Sequence, residues 1–177
     1  MDCKILWLTG LSGSGKTTLA KFLKKKLLEL KFKVKVVDGD QFRNKNKNKN
    51  SFTKKNIYLN NLAIIQNILD INHKYDYILV SVISPLLKSR LRAKKIFKEK
   101  YKEIYVKCST KELIRRDTKN LYKLAKEHKI KNLIGFNSKI NYEKSKYKKI
   151  TIDTQKNSIV VSTKKILKEI FKNEKKI

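Results

Sequence analysis

The stretch Gly10-Leu11-Ser12-Gly13-Ser14-Gly15-Lys16-Thr17 decides the fold of this chain of 177 residues. It fulfils the pattern G-x-x-x-x-G-K-[ST] of a phosphate-binding loop. An apolar, strand-like run at residues 5–8 precedes it, and a run with apolar residues at helical spacing, 16–30, follows it. Because strand, loop and helix stand in the order that the motif requires, we predict a nucleoside triphosphate site rather than a chance glycine-rich turn.

The residue types in this loop suit the chemistry of a bound triphosphate. Glycines let the backbone come close to the phosphates, which the N–H groups and the helix N-terminus then face. Lys16 is expected to reach the β- and γ-phosphates, and the Thr17 hydroxyl to bind Mg²⁺. No guanine-reading Asn-Lys-x-Asp motif follows a predicted strand, so we predict ATP and Mg²⁺ as cofactors. The residues expected to bind ATP here are Gly10, Ser12, Gly13, Ser14, Gly15, Lys16, Thr17 and Thr18.

Length and composition limit the class of protein. The chain suits one domain, 1–177, and 40% hydrophobic residues are enough for a core. We expect no transmembrane helix and no signal peptide, since the sequence has no long apolar span and its first apolar run ends at the phosphate loop. Two cysteines, Cys3 and Cys108, make neither a disulfide framework nor a metal site, so we predict a cytoplasmic protein.

The net charge of +30, from 45 basic and 15 acidic residues, can attract a polyanion. However, the excess is nearly all lysine, spread over the whole chain beside abundant Asn and Ile, as an A/T-rich genome would produce. Arginine, the better reader of bases and phosphates, is scarce. We therefore expect no specific nucleic acid partner. The alternative is a basic nucleic-acid-binding module with a vestigial phosphate loop.

Strand-like and helix-like segments alternate along the chain. The predicted strands are 4–9, 33–37, 77–83, 103–107 and 149–153. The predicted helices are 16–30, 54–71, one that begins at Pro85, a short one opened by a capping box at 109–112, and 158–172. This order predicts an α/β fold of the P-loop NTPase type, with a parallel sheet covered by helices on both faces and ligands at the carboxyl ends of the strands.

Two polar segments interrupt this alternation. Residues 44–50 alternate Asn and Lys, which cannot pack a core, and are predicted to form a mobile loop. Residues 115–142 are polar with little periodicity, and we interpret them as a lid or substrate loop. The charged residues at the start of this lid segment would close over phosphates: Arg115, Arg116, Asp117, Lys119 and Lys123.

Candidate chemical groups follow the second and third strands. Asp38 and Asp40 can approach a metal or a substrate hydroxyl, but Asp-Gly-Asp is equally suited to a tight turn, and the spacing leaves both open. Arg43 adds a cation for an anionic substrate. Ser84 can hydrogen-bond a ligand or cap the helix that Pro85 begins, and the cap is the safer interpretation.

Four segments resemble the adenylylsulfate (APS) kinase family and occur in that family's order. They are 8–18 (LTGLSGSGKTT), 38–43 (DGDQFR), 83–85 (ISP) and 116–123 (RDTKNLYK), and the resemblance runs from about residue 4 to residue 154. It implies ATP-dependent phosphorylation of the ribose 3′-hydroxyl of APS, which gives 3′-phosphoadenylylsulfate. Dimers are common among such chains, so a homodimer is expected.

The resemblance also implies roles for individual residues. Lys16, Asp40 and Ser84 would be catalytic, with Asp40 as the base or orienter of the 3′-hydroxyl. Thr17 and Asp40 would bind the metal, and Arg116 would border the ATP adenine. The implied acceptor-binding residues are Asp38, Asp40, Arg43, Phe52, Asn56, Ile83, Ser84, Lys119, Lys123 and Leu133.

The acceptor half departs from the family pattern. Gln41 replaces an Asn, and the segment 52–57 lacks an Asp-Arg pair whose arginine helps hold the acceptor. Leu133 stands where a Phe would stack on the acceptor adenine opposite Phe52, and stacking is worth roughly 1–3 kcal/mol per base. This leaves open a small-pyrimidine acceptor, cytidine diphosphoramidate, which relatives of the family phosphorylate in surface-polysaccharide (capsule) biosynthesis.

Overall fold

A five-stranded parallel sheet forms the centre of the computed structural model, which describes residues 3–45, 53–147 and 149–172. The strands are β1 (Lys4–Thr9), β2 (Val34–Asp38), β3 (Tyr77–Ser81), β4 (Tyr101–Lys107) and β5 (Ile150–Asp153). Their order across the sheet is β2-β3-β1-β4-β5, and every pairing is parallel. The predicted α/β fold with a parallel sheet is therefore confirmed.

Seven α-helices connect and follow the strands in the described residues. They are α1 (Lys16–Glu29), α2 (Gly39–Lys45), α3 (Lys54–Ile71), α4 (Leu87–Phe97), α5 (Thr110–Arg116), α6 (Leu121–Lys126) and α7 (Ile159–Phe171). Thr53, Ser109 and Ser158 begin α3, α5 and α7 as N-caps, because each hydroxyl accepts a hydrogen bond from a free amide of the first turn.

Both faces of the sheet are covered by helices, as the alternation of strands and helices predicts. Side chains alternate along β1, so Leu6 and Leu8 join one core with α1 and α7, whereas Ile5 and Trp7 join a second core with α3 and α4. β1 lies at the centre of the sheet, between β3 and β4. The phosphate loop that follows β1 is therefore held between two packed layers.

The structure differs from the sequence prediction at the ends of two strands. The residues after β2 form the short helix α2, which begins because one carboxylate oxygen of Asp38 accepts hydrogen bonds from the amides of Asp40 and Gln41 (3.0 and 3.3 Å). The helix predicted to begin at Pro85 begins at Leu87, with Leu86 as its N-cap. The interpretation of Ser84 as a helix cap is therefore wrong.

The two polar segments are also more structured than predicted. Of residues 44–50, the first two end α2, and 46–50 lie outside the described residues. The lid segment contains the end of α5 and all of α6, and it has a small core of its own. The members of this lid core are Leu113, Tyr122, Ala125 and Leu133.

The described residues contain no helix that is both long enough and apolar enough to cross a bilayer.

We predict that Gly10→Ala destabilises the nucleotide-free protein. Gly10 has φ +148°, and an added Cβ would lie 2.4 Å from the carbonyl oxygen of Val106, which belongs to β4 and cannot move aside. Gly13→Ala is the matched control, since Gly13 also has a positive φ but an added Cβ meets no atom nearer than 3.6 Å. Thermal unfolding should show Gly10→Ala to be less stable than the control by about 2 kcal/mol or more. Equal stabilities would contradict the backbone collision.

Candidate active site

The ammonium of Lys16 is buried at the turn between β1 and α1. Its Nζ donates to the carbonyl of Leu11 at 2.8 Å, inside the loop that precedes it. Burial lowers the pKa of Lys16 to about 8, with Lys119 also lowering it, while Asp40 and Asp38 act in the opposite direction. The loop therefore holds a desolvated cation among backbone groups, which is an arrangement suited to phosphate oxygens.

A second junction joins α1 to the ends of β2 and β3. The Thr17 hydroxyl donates to Asp38 Oδ2 at 2.9 Å and lies 3.1 Å from the hydroxyl of Ser81. The other oxygen of Asp38 caps α2. Asp38 thus takes part in the turn and reaches the candidate metal ligand Thr17 at the same time, so the two readings of the Asp-Gly-Asp motif are compatible.

Asp40 forms an ion pair with the lid. Its Oδ2 lies 2.6 Å from Nζ of Lys119, and both side chains are about half exposed. Partial burial tends to raise the pKa of Asp40, but the hydrogen bond and charge of Lys119, with the charges of Arg43 and Lys16, outweigh it and lower the pKa below its usual value. Asp40 is therefore ionised near neutral pH.

The lid is fastened to the phosphate loop by buried contacts. The Tyr122 hydroxyl donates to the carbonyl of Ser12 at 3.0 Å. Asp117 accepts from the amides of Tyr122 and Lys123 and so fixes the start of α6. Gly135 adopts φ +83° where an added Cβ would lie 2.6 Å from the side chain of Leu11. These contacts hold the lid segment against the loop.

Arg116 connects α5 to the residues after β5. Its Nε donates to Glu112 at 2.8 Å, and its Nη2 donates to the carbonyl of Thr154 at 2.7 Å. The Thr154 hydroxyl in turn donates to the carbonyl of Ser14 at 3.0 Å. Arg116, the arginine predicted to border the ATP adenine, is therefore connected to the phosphate loop through Thr154.

A cavity of about 340 Å³ brings most of the predicted ATP-binding residues together. The predicted site residues that line it are Ser12, Gly13, Gly15, Lys16, Thr17, Thr18, Asp40, Ile83, Arg116 and Lys119. Four further lining residues, which the sequence does not predict, lie near the end of β5 and the start of α7: Thr154, Asn157, Ile159 and Ser162. The rule that ligands lie at the carboxyl ends of parallel strands was the available signal for them.

Other predicted residues are not part of the cavity lining: Gly10, Ser14, Asp38, Arg43, Asn56, Ser84, Lys123 and Leu133. Phe52 lies outside the described residues. Leu133 is packed into the lid core, whereas Phe136 is 36% exposed and contacts the Tyr122 ring edge-on at 5.8 Å. A contact between Leu133 and an acceptor stays a prediction. Among the aromatic side chains of the lid segment, that of Phe136 is the most exposed.

The sequence of the chain matches the family model for adenylylsulphate kinase over residues 2–153. The chain belongs to the adenylylsulphate kinase family. It is 34% identical over 153 residues to a probable adenylyl-sulfate kinase of Archaeoglobus fulgidus, covering 86% of this chain and 97% of the relative. It is 36% identical over 160 residues to a probable adenylyl-sulfate kinase of Aeropyrum pernix, covering 88% and 85%.

A solved structure supports the same membership. The Mycobacterium tuberculosis APS kinase in complex with AMPPNP and APS superposes with a TM-score of 0.87 at 27% identity, over 96% of this chain and 98% of that one. The resemblance to the APS kinase family and the P-loop type of the fold are thereby confirmed.

We predict that Lys16→Met raises the stability of the nucleotide-free protein near neutral pH. The unfolded chain binds the Lys16 proton more strongly, since the pKa falls from 10.5 to about 8 on folding. The resulting loss of folding stability, about 3 kcal/mol, is complete at pH values below the pKa of the folded state. It disappears as the pH rises through the pKa of the unfolded state. In denaturant titrations the difference between Lys16→Met and the wild type should therefore shrink between pH 8 and 10.5.

Lys21→Met, at an exposed position of the same helix, is the control and should change stability by less than about 0.5 kcal/mol. Lys16→Met should also abolish the stabilisation that ATP gives to the wild type. A variant less stable than the wild type at neutral pH would contradict the prediction.

Proposed function

We propose that the chain transfers the γ-phosphoryl group of ATP to the ribose 3′-hydroxyl of adenylylsulfate, producing 3′-phosphoadenylylsulfate. One observation carries the proposal: the same cavity is lined by Lys16 and Thr17 of the phosphate loop and by the ionised carboxylate of Asp40. Phosphoryl transfer needs groups that bind the phosphates and a group that orients the acceptor hydroxyl, and residues suited to both tasks line this cavity. The family membership supports APS as the acceptor.

Each side chain has a role that follows from its surroundings. Lys16 and the loop amides neutralise the phosphates, and Arg116 borders the adenine side of the cavity. Asp40 accepts a hydrogen bond from the 3′-hydroxyl and takes its proton as the 3′-oxygen bonds to the γ-phosphorus and the bond from that phosphorus to the β–γ bridging oxygen breaks, releasing ADP. Before it can do so, the hydrogen bond between Asp40 and Lys119 has to loosen, and the freed ammonium of Lys119 can then face the transferred phosphoryl group.

Mg²⁺ is part of the proposal, because the donor set fits it. Mg²⁺ in kinase sites takes one or two protein oxygens and fills its other positions with water and phosphate oxygens. The Thr17 hydroxyl and the Asp38 carboxylate, 2.9 Å apart, supply such oxygens. When bound, Mg²⁺ would offset the charge of the phosphates. Asp40, the metal ligand expected from the sequence together with Thr17, is paired with Lys119 and stands here as the acceptor-orienting group.

Cytidine diphosphoramidate is the second candidate acceptor. The observation that favours it is the altered acceptor half: the shortened segment 52–57 and the leucine at 133. A pyrimidine needs less stacking surface than adenine. The expectations of a cytoplasmic enzyme and of a homodimer stay predictions.

We predict that ADP release from MgATP is stimulated by a small nucleotide acceptor and is unaffected by DNA or RNA. APS and cytidine diphosphoramidate, compared at equal concentrations, identify the acceptor by the larger kcat/KM. Asp40→Asn should lower kcat about 100-fold or more, since it removes the proton acceptor, while ATP affinity stays within about threefold.

Asp70→Asn, near the C-terminal end of α3, is the matched carboxylate control and should keep full activity. Full activity in Asp40→Asn, or the absence of stimulation by either acceptor, would contradict the proposed function. Chelation of Mg²⁺ should abolish turnover of the wild type.

We predict that Lys119→Met moves the acid limb of the pH profile of kcat/KM to higher pH. Lys119 provides the strongest of the effects that lower the Asp40 pKa, so without it burial raises that pKa and Asp40 loses its charge at a higher pH. Lys126→Met, an exposed lysine of α6, should leave the acid limb in place. An unchanged acid limb in Lys119→Met would mean that Asp40 is not the group that titrates.

A further inference from the structure

Arg90 of α4 is completely buried outside the cavity, opposite a carboxylate of β4. Its Nε lies 3.2 Å from Oε2 of Glu103, and the two side chains are 0% and 1% exposed. A buried ion pair of this kind is costly unless its remaining donors and acceptors are satisfied. The partners of both groups therefore indicate what the pair holds in place.

Hydroxyl groups satisfy the carboxylate of Glu103. The Ser145 hydroxyl donates to Oε1 at 2.6 Å. The hydroxyls of Tyr147 and Tyr101 donate to Oε2, the latter at 3.4 Å. Two of these three donors belong to residues 142–147, here called the return segment, by which the chain comes back from the lid towards β5. Glu103 thus binds the return segment to the sheet.

The guanidinium of Arg90 bridges the return segment and the Ile-Ser-Pro turn. Its Nη1 donates to the carbonyl of Ser84 at 2.5 Å, and its Nη2 donates to the carbonyl of Glu143. Only a planar group with several fixed N–H donors can reach both carbonyls and the Ser145 hydroxyl together.

The bridge is part of a closed ring of contacts. The Thr9 hydroxyl donates to the carbonyl of Ile83 at 2.5 Å and lies 3.1 Å from the Tyr142 hydroxyl. The guanidinium of Arg90 stacks over the Tyr142 ring at 4.9 Å and holds the carbonyl of Ser84. The end of β1, the turn after β3 and the return segment are thereby locked to one another.

Ser84 is the strained member of this ring. It adopts φ +42°, which is unfavourable for a residue with a side chain, and persists only where its surroundings hold it. Its Oγ is buried and makes no hydrogen bond within the described residues. Ile83, its neighbour, lines the cavity. By binding the carbonyl of Ser84, Arg90 therefore fixes the peptide group that follows the Ser84 Cα. The direction of the Ser84 side chain is fixed with it.

We propose that Arg90, with Glu103 as its counter-ion, is a positioning residue that fixes the Ser84 turn and the return segment and thereby the acceptor side of the cavity. The inference rests on the proposed function and on the sequence-based prediction that Ser84 contacts the acceptor. Arg90 itself is fully buried and does not line the cavity. Loss of Arg90 changes the position of the acceptor hydroxyl relative to the γ-phosphate of ATP.

The test compares Arg90→Lys with the wild type. Lysine keeps the positive charge opposite Glu103 but cannot hold both carbonyls in a fixed plane. We expect kcat for acceptor phosphorylation to fall about tenfold or more, while KM for ATP stays within about twofold, because only the acceptor side is displaced.

Phe97→Leu is the control for destabilisation alone. Phe97 is buried at the end of the same helix and takes part in no polar contact with Ser84. It should lower the melting temperature without the selective loss of kcat. An Arg90→Lys protein that keeps kcat within about twofold, or that changes kcat and the KM for ATP together, overturns the proposal.

A double variant covers the case in which Arg90→Lys does not fold. Arg90→Met with Glu103→Met removes both charges, and apolar replacement of a buried pair commonly preserves folding. It should show the same selective loss of kcat, and unaltered kcat overturns the proposal.

Failure of the proposed function is distinguishable from failure of this inference. If the wild type phosphorylates neither acceptor, the proposed function fails, and amide hydrogen exchange decides the role of Arg90. In whichever variant folds, exchange should then be faster in residues 83–90 and 142–147 and unchanged in 10–17, relative to Phe97→Leu. Equal rates in the two former segments overturn the inference.

Discussion

The buried charge of Lys16 is the constraint around which this site is built. Moving an ammonium out of water is unfavourable, and the depressed pKa, about 8, reports that cost. The carbonyl of Leu11 and the nearby carboxylates offset only part of it. A bound phosphate group would replace the interactions with water that the ammonium loses on burial. The folded protein therefore gives up stability at the position where a phosphate can be bound strongly.

The sheet topology provides the groups that face this charge. β3 lies between β1 and β2, so the residues after β2 reach the phosphate loop across the end of β3. Ser81 and Asp38 meet Thr17 at that edge. Asp38 can serve two elements because a carboxylate has two oxygens, one for the hydroxyl of Thr17 and one for the amides of α2. The Asp-Gly-Asp motif, for which the sequence leaves two interpretations open, therefore serves both: Asp38 caps α2 and accepts the hydrogen bond of Thr17.

The sequence predicts those parts of the protein whose interactions are local. The alternation of strand-like and helix-like segments identifies all five strands, and the contiguous loop 10–17 identifies the donor site. The lid could not be predicted in the same way, because its order comes from long-range contacts such as the hydrogen bond from Tyr122 to Ser12, between residues far apart in the chain. Thr154 was missed for the same reason, since only the fold brings it to Arg116. Helix α2 was missed because its start depends on a side-chain cap within Asp-Gly-Asp.

The same distinction explains why the donor side keeps the family pattern and the acceptor side departs from it. The phosphate-binding part of the donor side is formed by eight consecutive residues, 10–17, so a change in one of them disturbs its neighbours. The residues predicted to bind the acceptor come from α2, the Ser84 turn and the lid, which are separate in sequence and can change one at a time. The buried pair of Arg90 and Glu103 joins one of these segments, the Ser84 turn, to the return segment and to β4 through one planar group. A charge pair tolerates few alternative arrangements in a core, so the geometry it holds can persist while the residues that contact the acceptor vary.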